Sequence, residues 1–71
     1  MNAPTLPVTV NGEPRGVAAG TTLAALLALQ GVAPQACATA VNGAFVPRDA
    51  RAAHRLQAGD VVTCFQPIVG G

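Results

Sequence analysis

The stretch VTVNGE at residues 8–13 and the stretch TAVNGAF at residues 39–45 decide the fold, because each places Asn-Gly beside alternating apolar residues. Both central residues of the favoured two-residue hairpin turn need a positive φ, which Asn and Gly adopt most readily. The alternation gives each strand one apolar face. Two β-hairpins are therefore predicted, one around Asn11 and one around Asn42.

A single helix is predicted between the two hairpins, within TTLAALLALQG at residues 21–31. Thr21 or Thr22 can cap its N-terminus, and Gly31 is typical of a residue just past a helix C-terminus. Three leucines with i, i+3, i+4 spacing would form its buried face: Leu23, Leu26 and Leu27. A helix of two to three turns is expected here.

The final strand is predicted within VVTCFQPIV at residues 61–69, with Val62 and Cys64 on one face and Val61, Thr63 and Phe65 on the other. A long loop separates it from the short strand before it, so we expect it to pair parallel to the first strand. The result is an α+β fold of the β-grasp type, a mixed sheet of four to five strands wrapped around one main helix. Residues 1–71 form one domain in this interpretation, with a loose head at residues 1–4 and an extended tail at residues 66–71.

The composition argues against nucleic acid and membrane surfaces as partners. The chain has four Arg and three acidic residues. Its net charge is therefore too close to zero for electrostatic binding to phosphates or lipids. The longest apolar run is far shorter than a bilayer-spanning helix, and the first residues lack the pattern of a secretion signal, so a cytoplasmic location is expected. Lysine is absent, so the chain could not readily accept an acyl group but could still donate one.

The inventory of catalytic side chains is thin, so an enzyme and a metal site are both unexpected. His54 is the sole histidine and is interpreted as a solvated loop residue. Cys37 and Cys64 lack the close spacing of a zinc or redox pair and are expected to be free and buried. Asp49 and Asp60 are explained as turn and cap residues.

The sequence ends in QPIVGG at residues 66–71, and its last carboxylate is the conspicuous reactive group. Gly70 and Gly71 lack a Cβ and have the slimmest cross-section that a peptide can have. Such a segment can enter a narrow channel and place its carboxylate beside a nucleotide. Taken alone, a Gly-Gly ending can also arise by chance.

Taken together, these segments resemble the ThiS family of sulfur carriers from thiamine thiazole biosynthesis, which have a ubiquitin-like β-grasp fold. The likeness rests on five stretches that span nearly the whole chain after the head: VNGEP, TLAALLALQG, AVNGAFVPR, the Gly59-Asp60 pair and QPIVGG. One position departs from the family pattern, because Arg51 stands where the family often has tryptophan.

The resemblance implies a carrier cycle in which the protein is a co-substrate and the partners catalyse. A ThiF-type adenylating enzyme would use ATP and magnesium to activate the Gly71 carboxylate as an acyl-adenylate. Sulfur from a persulfide donor, such as a cysteine desulfurase, would then displace AMP and leave a thiocarboxylate. A ThiG-type thiazole synthase would take up that sulfur. The chain itself would bind no cofactor.

Partner docking is expected to use residues beside the tail. Phe65 is either an exposed anchor or a core filler, and the sequence leaves both open. Ile68 and Val69 are further candidates for partner contacts. Three alternatives to the thiazole pathway remain open: a carrier of the molybdopterin synthase small-subunit type, a non-covalent ubiquitin-like interaction module, and a tag joined to other proteins.

Overall fold

A computed structural model of the chain describes residues 5–65. The predicted head at residues 1–4 and the predicted tail at residues 66–71 lie outside the described residues. Five strands, one α-helix and two 3-10 segments follow one another: β1 Thr5–Val10, β2 Glu13–Ala18, α1 Leu23–Leu29, 3-10 Pro34–Ala36, β3 Ala38–Val41, β4 Ala44–Val46, 3-10 Arg48–Ala53 and β5 Val61–Phe65. The predicted order of strands and helix is confirmed.

Both predicted hairpins are present, and each turns on its Asn-Gly pair. Asn11 and Gly12 have φ values of 52° and 85°, and Asn42 and Gly43 have 53° and 83°. Two successive residues in the left-handed region form the turn whose twist matches that of the flanking strands. β1 therefore pairs antiparallel with β2, and β3 pairs antiparallel with β4.

β5 lies in the middle of the sheet, whose order is β2-β1-β5-β3-β4. It runs parallel to β1, with Thr9 opposite Val61, and antiparallel to β3, with Thr39 opposite Cys64. The prediction that the last strand pairs parallel to the first is confirmed. β4 is left at one edge of the sheet, where Pro47 can follow it without removing a sheet hydrogen bond.

The helix α1 covers one face of the sheet. The hydroxyl oxygen of Thr22 accepts a hydrogen bond from the Ala25 backbone N–H at 3.1 Å and caps the helix. Gly31, at φ 73°, takes the left-handed conformation that terminates it. The core is aliphatic and consists of Val8, Val10, Val17, Leu23, Leu26, Val41, Val46, Leu56 and Val62, with Leu6 packed against it.

The sequence did not determine which residues of β3 point into the core, and the structure does. Thr39 and Val41 point into the core, whereas Ala38 and Ala40 lie on the opposite face of the sheet and are only partly buried. On β5, Val62 and Cys64 share a face as predicted, and that face points inward. Because Thr39 is directly opposite Cys64, the inner face of β3 meets the inner face of β5.

The two cysteines differ in burial, which corrects one prediction. Both thiols are free; Cys37 is buried as expected, but Cys64 is only partly buried. Cys64 is the last inward-facing residue of β5, so it lies near the end of the sheet rather than at its centre. Within residues 5–65, no helix is long and apolar enough to cross a membrane.

Candidate functional site

The candidate site is the C-terminal end of β5, from which the chain continues to the predicted tail. Of the residues predicted for the site, Phe65 is the last residue of β5. Ile68, Val69, Gly70 and Gly71 lie outside the described residues. The structure therefore defines the surface from which these residues continue.

The side chains of both turn asparagines hold β5 in place. The Asn11 Oδ1 atom accepts a hydrogen bond from the Cys64 backbone N–H at 2.8 Å. The Asn42 Oδ1 atom accepts one from the Val61 backbone N–H at 2.9 Å. The sequence pattern indicated only the backbone conformation of these asparagines, and their hydrogen bonds to β5 were not predicted. The available signal was that Asn, unlike Gly, brings a side-chain acceptor to a left-handed position.

Asp60 fixes the entry into β5, as its predicted role in a turn implies. Its carboxylate accepts hydrogen bonds from the Asn42 side-chain amide at 3.1 Å and from the Gln57 backbone N–H at 2.8 Å. Its backbone carbonyl accepts one from the Thr9 N–H at 3.0 Å. The strand is thus held at its start by Asp60 and Asn42, and near its end by Asn11.

An apolar patch covers the outer face of the sheet beside the end of β5. Phe65 is 48% exposed, so the open question about its orientation is settled in favour of an outward-facing side chain. Phe45 is 65% exposed and lies opposite Ala40, and Phe65 lies opposite Ala38. We call Phe45, Phe65, Val61, Ala38 and Ala40 the outer patch.

The outer patch has the character of a protein-binding surface. β3, β4 and β5 carry no charged residue, and Thr63 is the one polar side chain on their outer face, so the patch is uncharged and largely apolar across three neighbouring strands. A cluster of exposed apolar side chains that includes two aromatics is typical of interfaces. The patch lies next to the start of the predicted tail, which favours a partner that binds both.

On the inner side of the same sheet, Arg51 is buried, with only 4% of its surface exposed. Its Nε donates to the Thr39 hydroxyl at 3.0 Å, its Nη1 to the Pro34 carbonyl at 2.8 Å and its Nη2 to the Cys37 carbonyl at 2.7 Å. The Thr39 hydroxyl in turn donates a hydrogen bond to the Val46 carbonyl at 3.1 Å. The residue that departs from the family pattern therefore joins β3, β4 and both 3-10 segments.

Sequence reasoning missed the burial of Arg51. Its segment was predicted to be polar and at most loosely helical, and it does form the 3-10 segment Arg48–Ala53. The neighbouring Arg48 and Arg55 are exposed, so residue type alone does not distinguish the three. A weak signal was available, because an apolar residue is often found at the position of Arg51 in the family that the sequence resembles.

The Cys64 thiol is poorly suited to act as a nucleophile. Burial and, after it, the neighbouring Cys37 thiol raise the pKa of Cys64 from an ordinary 9.0 to about 11, against an opposing effect of the Arg51 guanidinium. The thiol is therefore protonated at neutral pH, and it is the thiolate that reacts. Cys64 contributes packing at the end of β5 rather than a reactive sulfur.

The remaining polar candidates have structural roles or stand apart. His54 is partly buried, and its backbone carbonyl accepts a hydrogen bond from the Leu23 N–H at 2.9 Å, next to the helix cap. Asp49 lies in the first turn of the 3-10 segment, away from the turn that contains Asp60. Residues 5–65 contain no group of three or more His, Cys, Asp or Glu side chains placed to hold a metal ion.

The topology defines the class of protein. A mixed five-stranded sheet that curves around one main helix, with the last strand inserted parallel to the first, is a ubiquitin-like β-grasp fold. The model of the ThiS family matches residues 8–71. The chain belongs to the ThiS family.

Two solved structures are similar over most of the chain. The crystal structure of a thiamine biosynthesis protein (ThiS) from Geobacter metallireducens has a TM-score of 0.81 and 30% sequence identity, covering 93% of this chain and 100% of that one. The solution structure of a thiamine biosynthesis protein from Geobacter metallireducens has a TM-score of 0.74 and 30% identity, covering 93% of this chain and 88% of that one. A comparison with curated proteins gives no significant match.

Proposed function

We propose that this protein is a sulfur carrier of thiamine biosynthesis whose Gly71 carboxylate is converted to a thiocarboxylate. The observation that carries the proposal is the match to the ThiS family model, which extends from residue 8 through Gly71. The similar structures are thiamine biosynthesis proteins, which supports the same pathway. Membership in a family of small carriers also supports a non-enzymatic role as co-substrate of partner enzymes.

Activation of the carboxylate requires ATP and magnesium, which the partner supplies. On a ThiF-type adenylating enzyme, the Gly71 carboxylate attacks the α-phosphorus of ATP and releases pyrophosphate, forming an acyl-adenylate. AMP is then a far better leaving group than hydroxide would be. In this mechanism Gly70 and Gly71 leave room for the nucleotide because neither carries a Cβ.

Sulfur enters by displacement of AMP. The terminal sulfur of a persulfide, such as one carried on a cysteine desulfurase, attacks the acyl carbon and forms an acyl disulfide with the donor. A thiol then cleaves the S–S bond, leaving the thiocarboxylate on Gly71 and a disulfide on the donor side. A ThiG-type thiazole synthase takes the sulfur into the thiazole ring, and the carrier returns to its carboxylate form.

The outer patch is the proposed docking surface for these partners. Phe65 and Phe45 are exposed on an uncharged face that continues towards the tail, where Ile68 and Val69 would extend the contact. Interface energy is concentrated in a few buried aromatic anchors. We expect the two Phe side chains to bind apolar pockets on the adenylating enzyme.

The chemistry is tested by mass spectrometry of the carrier after incubation with its adenylating enzyme, ATP, magnesium and a persulfide donor. We expect a mass increase equal to the replacement of one oxygen by sulfur, located on Gly71 by fragmentation. A chain extended by one residue beyond Gly71 is the control and should remain unmodified. If neither adenylate nor thiocarboxylate forms on the wild-type chain, the sulfur-carrier proposal fails and a non-covalent interaction module is favoured.

The docking surface is tested by alanine substitution. Phe65→Ala and Phe45→Ala should each weaken binding to the adenylating enzyme about tenfold or more, because both remove an aromatic anchor. Leu29→Ala is the matched control, since Leu29 is 77% exposed on α1, which packs on the other face of the sheet. Equal affinities for Phe65→Ala and Leu29→Ala, measured by calorimetry, would remove the outer patch from the interface.

A further inference from the structure

A cationic cavity lies at the edge of the outer patch. It has a volume of about 270 Å³ and opens between the 3-10 segment Pro34–Ala36, the edge strand β4 and the start of the second 3-10 segment. Phe45 forms one wall, and Arg48 and Arg51 line the interior. The cavity therefore shares Phe45 and Ala38 with the outer patch and places the exposed Arg48 at its edge, while the buried Arg51 lines it from the inner side of the sheet.

The positive charge of this cavity has no carboxylate partner in the described part of the chain. Among residues 5–65, the one ion pair within 4.0 Å joins Arg15 and Glu13 on β2, at the opposite edge of the sheet. Asp49 follows Arg48 in the sequence but does not line the cavity. Gln35 is the only other lining residue with a polar side chain that can donate or accept strong hydrogen bonds.

The two arginines contribute in different ways. Arg51 donates to three oxygens, all of them neutral, so its buried charge is hydrogen-bonded but not neutralised. Burial of a cation without an opposite charge carries a desolvation cost that an approaching anion would offset. Arg48 is exposed, and its guanidinium remains available to bind a carboxylate through two parallel hydrogen bonds.

We propose that this cavity is a docking site for an acidic side chain, an aspartate or a glutamate, of the protein that binds the outer patch. The proposal rests on the proposed function for the identity of that protein, a ThiF-type adenylating enzyme. An aromatic anchor beside an uncompensated positive charge fits a partner surface that presents a carboxylate beside an apolar pocket. The carboxylate would bind Arg48 directly and be attracted by the field of the buried Arg51.

Charge reversal tests the proposal with a control at the other edge of the sheet. Arg48→Glu should weaken binding to the adenylating enzyme about tenfold or more and reduce its salt dependence, because an attractive charge pair becomes repulsive. Arg15→Glu makes the same change on β2 and should alter the dissociation constant less than about twofold. Thermal unfolding of both variants checks that the fold is intact. Equal affinities for the two variants would overturn the proposal.

Binding and chemistry are measured separately, so the two proposals can fail independently. Dissociation constants are determined without ATP, and thiocarboxylate formation is followed by mass spectrometry. A wild-type carrier that binds the enzyme but is never modified overturns the proposed function alone. A wild-type carrier that is modified, alongside an Arg48→Glu variant that binds as tightly as wild type, overturns the docking site alone.

Phosphate is the competing ligand for two guanidinium groups. NMR titration of the free carrier with inorganic phosphate should leave the amide signals of Gln35, Ala38 and Phe45 unshifted at millimolar concentration. Saturable shifts that disappear in Arg48→Glu would overturn the assignment to a protein carboxylate and favour a phosphate-bearing ligand. Titration with the adenylating enzyme should shift the same signals in wild type, and the variant should need about tenfold more enzyme to reach the same shifts.

Discussion

The two hairpins begin from the same Asn-Gly turn, but different contacts hold them. β1 and β2 are paired in register from Thr5 opposite Ala18 to Val10 opposite Glu13. β3 and β4 are paired only from Thr39 opposite Val46 to Val41 opposite Ala44. Because isolated short hairpins are marginally stable at best in water, the second hairpin depends more heavily on contacts from elsewhere in the chain.

Those contacts come from residues that follow the second hairpin in sequence. Arg51 bonds to the Thr39 hydroxyl and to the Cys37 carbonyl, and Thr39 bonds to Val46 across the hairpin. β5 then pairs along the other side of β3. The same Asn-Gly turn therefore begins two different hairpins. The first is stabilised mainly by its own long strand pairing, and the second needs hydrogen bonds from Arg51 and β5. The second carries Phe45 and part of the proposed docking surface.

The largest expected effect comes from removing the guanidinium that supports the second hairpin. Arg51→Met should lower the free energy of unfolding by about 3 kcal/mol, because three oxygens, two of them in buried hydrogen bonds, lose a charged donor while the cost of burying a cation is also relieved. Urea denaturation measures the loss. Hydrogen exchange should accelerate at Thr39 and Val41 more than at Val8.

Two further variants sharpen this prediction. Arg51→Lys keeps the charge but cannot reach three acceptors with one ammonium group, so it should be less stable than wild type. Arg15→Met removes an exposed guanidinium from the first hairpin and should change stability by less than about 0.5 kcal/mol. If Arg51→Met were as stable as Arg15→Met, the second hairpin would not depend on the buried arginine.

A smaller effect is expected from the two turn asparagines, and it should differ between them. Asn→Gly preserves the left-handed conformation and removes only the side chain. Asn42→Gly loses the bonds to Val61 and Asp60 and should cost about 2 kcal/mol, whereas Asn11→Gly loses the single bond to Cys64 and should cost about 1 kcal/mol. Urea denaturation of both variants measures the two losses. A larger loss of stability for Asn11→Gly than for Asn42→Gly would contradict the prediction.

The effect that is smallest at neutral pH concerns the pH dependence of Cys64, because it appears only above about pH 9. Its folded-state pKa of about 11 lies above the ordinary 9.0, so the folded state binds the proton more tightly than the unfolded state. The associated stability is fully present below about pH 9 and is lost as the pH rises towards 11. Unfolding of the wild type and of Cys64→Ser, compared between pH 8 and pH 11, should show a steeper decline for the wild type.

Alkylation gives an independent measurement of the same pKa. In the folded protein, iodoacetamide should react with Cys64 slowly at pH 8 and faster up to about pH 11, following the thiolate fraction. Cys37→Ala allows the Cys64 reaction to be followed without a second thiol and removes one cause of the raised pKa. A Cys64 reaction that reaches its maximal rate near pH 8 in the wild type would contradict the assignment.

Much of the fold could be predicted because its signals are local. Asn11 and Asn42 marked the turns by their tolerance of positive φ, and Thr22 and Gly31 bounded the helix. Alternation along β5 placed Phe65 on the face opposite Val62 and Cys64, and the structure decided that this face is the outer one. The β3 strand was harder, because Ala38 and Ala40 are small enough for either face, and neighbouring strands decide such cases.

The candidate site was predicted in part. Phe65 was a candidate whose orientation the sequence left open and the structure settles as exposed, whereas its docking role and the roles of Gly71 and its neighbours remain predictions. Phe45 was not predicted as a second exposed aromatic of the site, because its place on the same face as Phe65, across β3, depends on β5 pairing with β3. The partial exposure of Cys64 likewise follows from its position at the end of the sheet, which alternation along one strand does not reveal.

By itself the sequence determined the turns, the helix and which residues of the last strand share a face, since dihedral preferences and periodicity act over a few residues. The match to the family model determined the membership in the ThiS family. Only the tertiary structure decided that Arg51 is buried while Arg48 is exposed. The acceptors that satisfy Arg51 are at Pro34, Cys37 and Thr39, and they converge only after the sheet has formed. A charged side chain can be buried only where such distant acceptors are available, and the residues around Arg51 in the sequence do not reveal them.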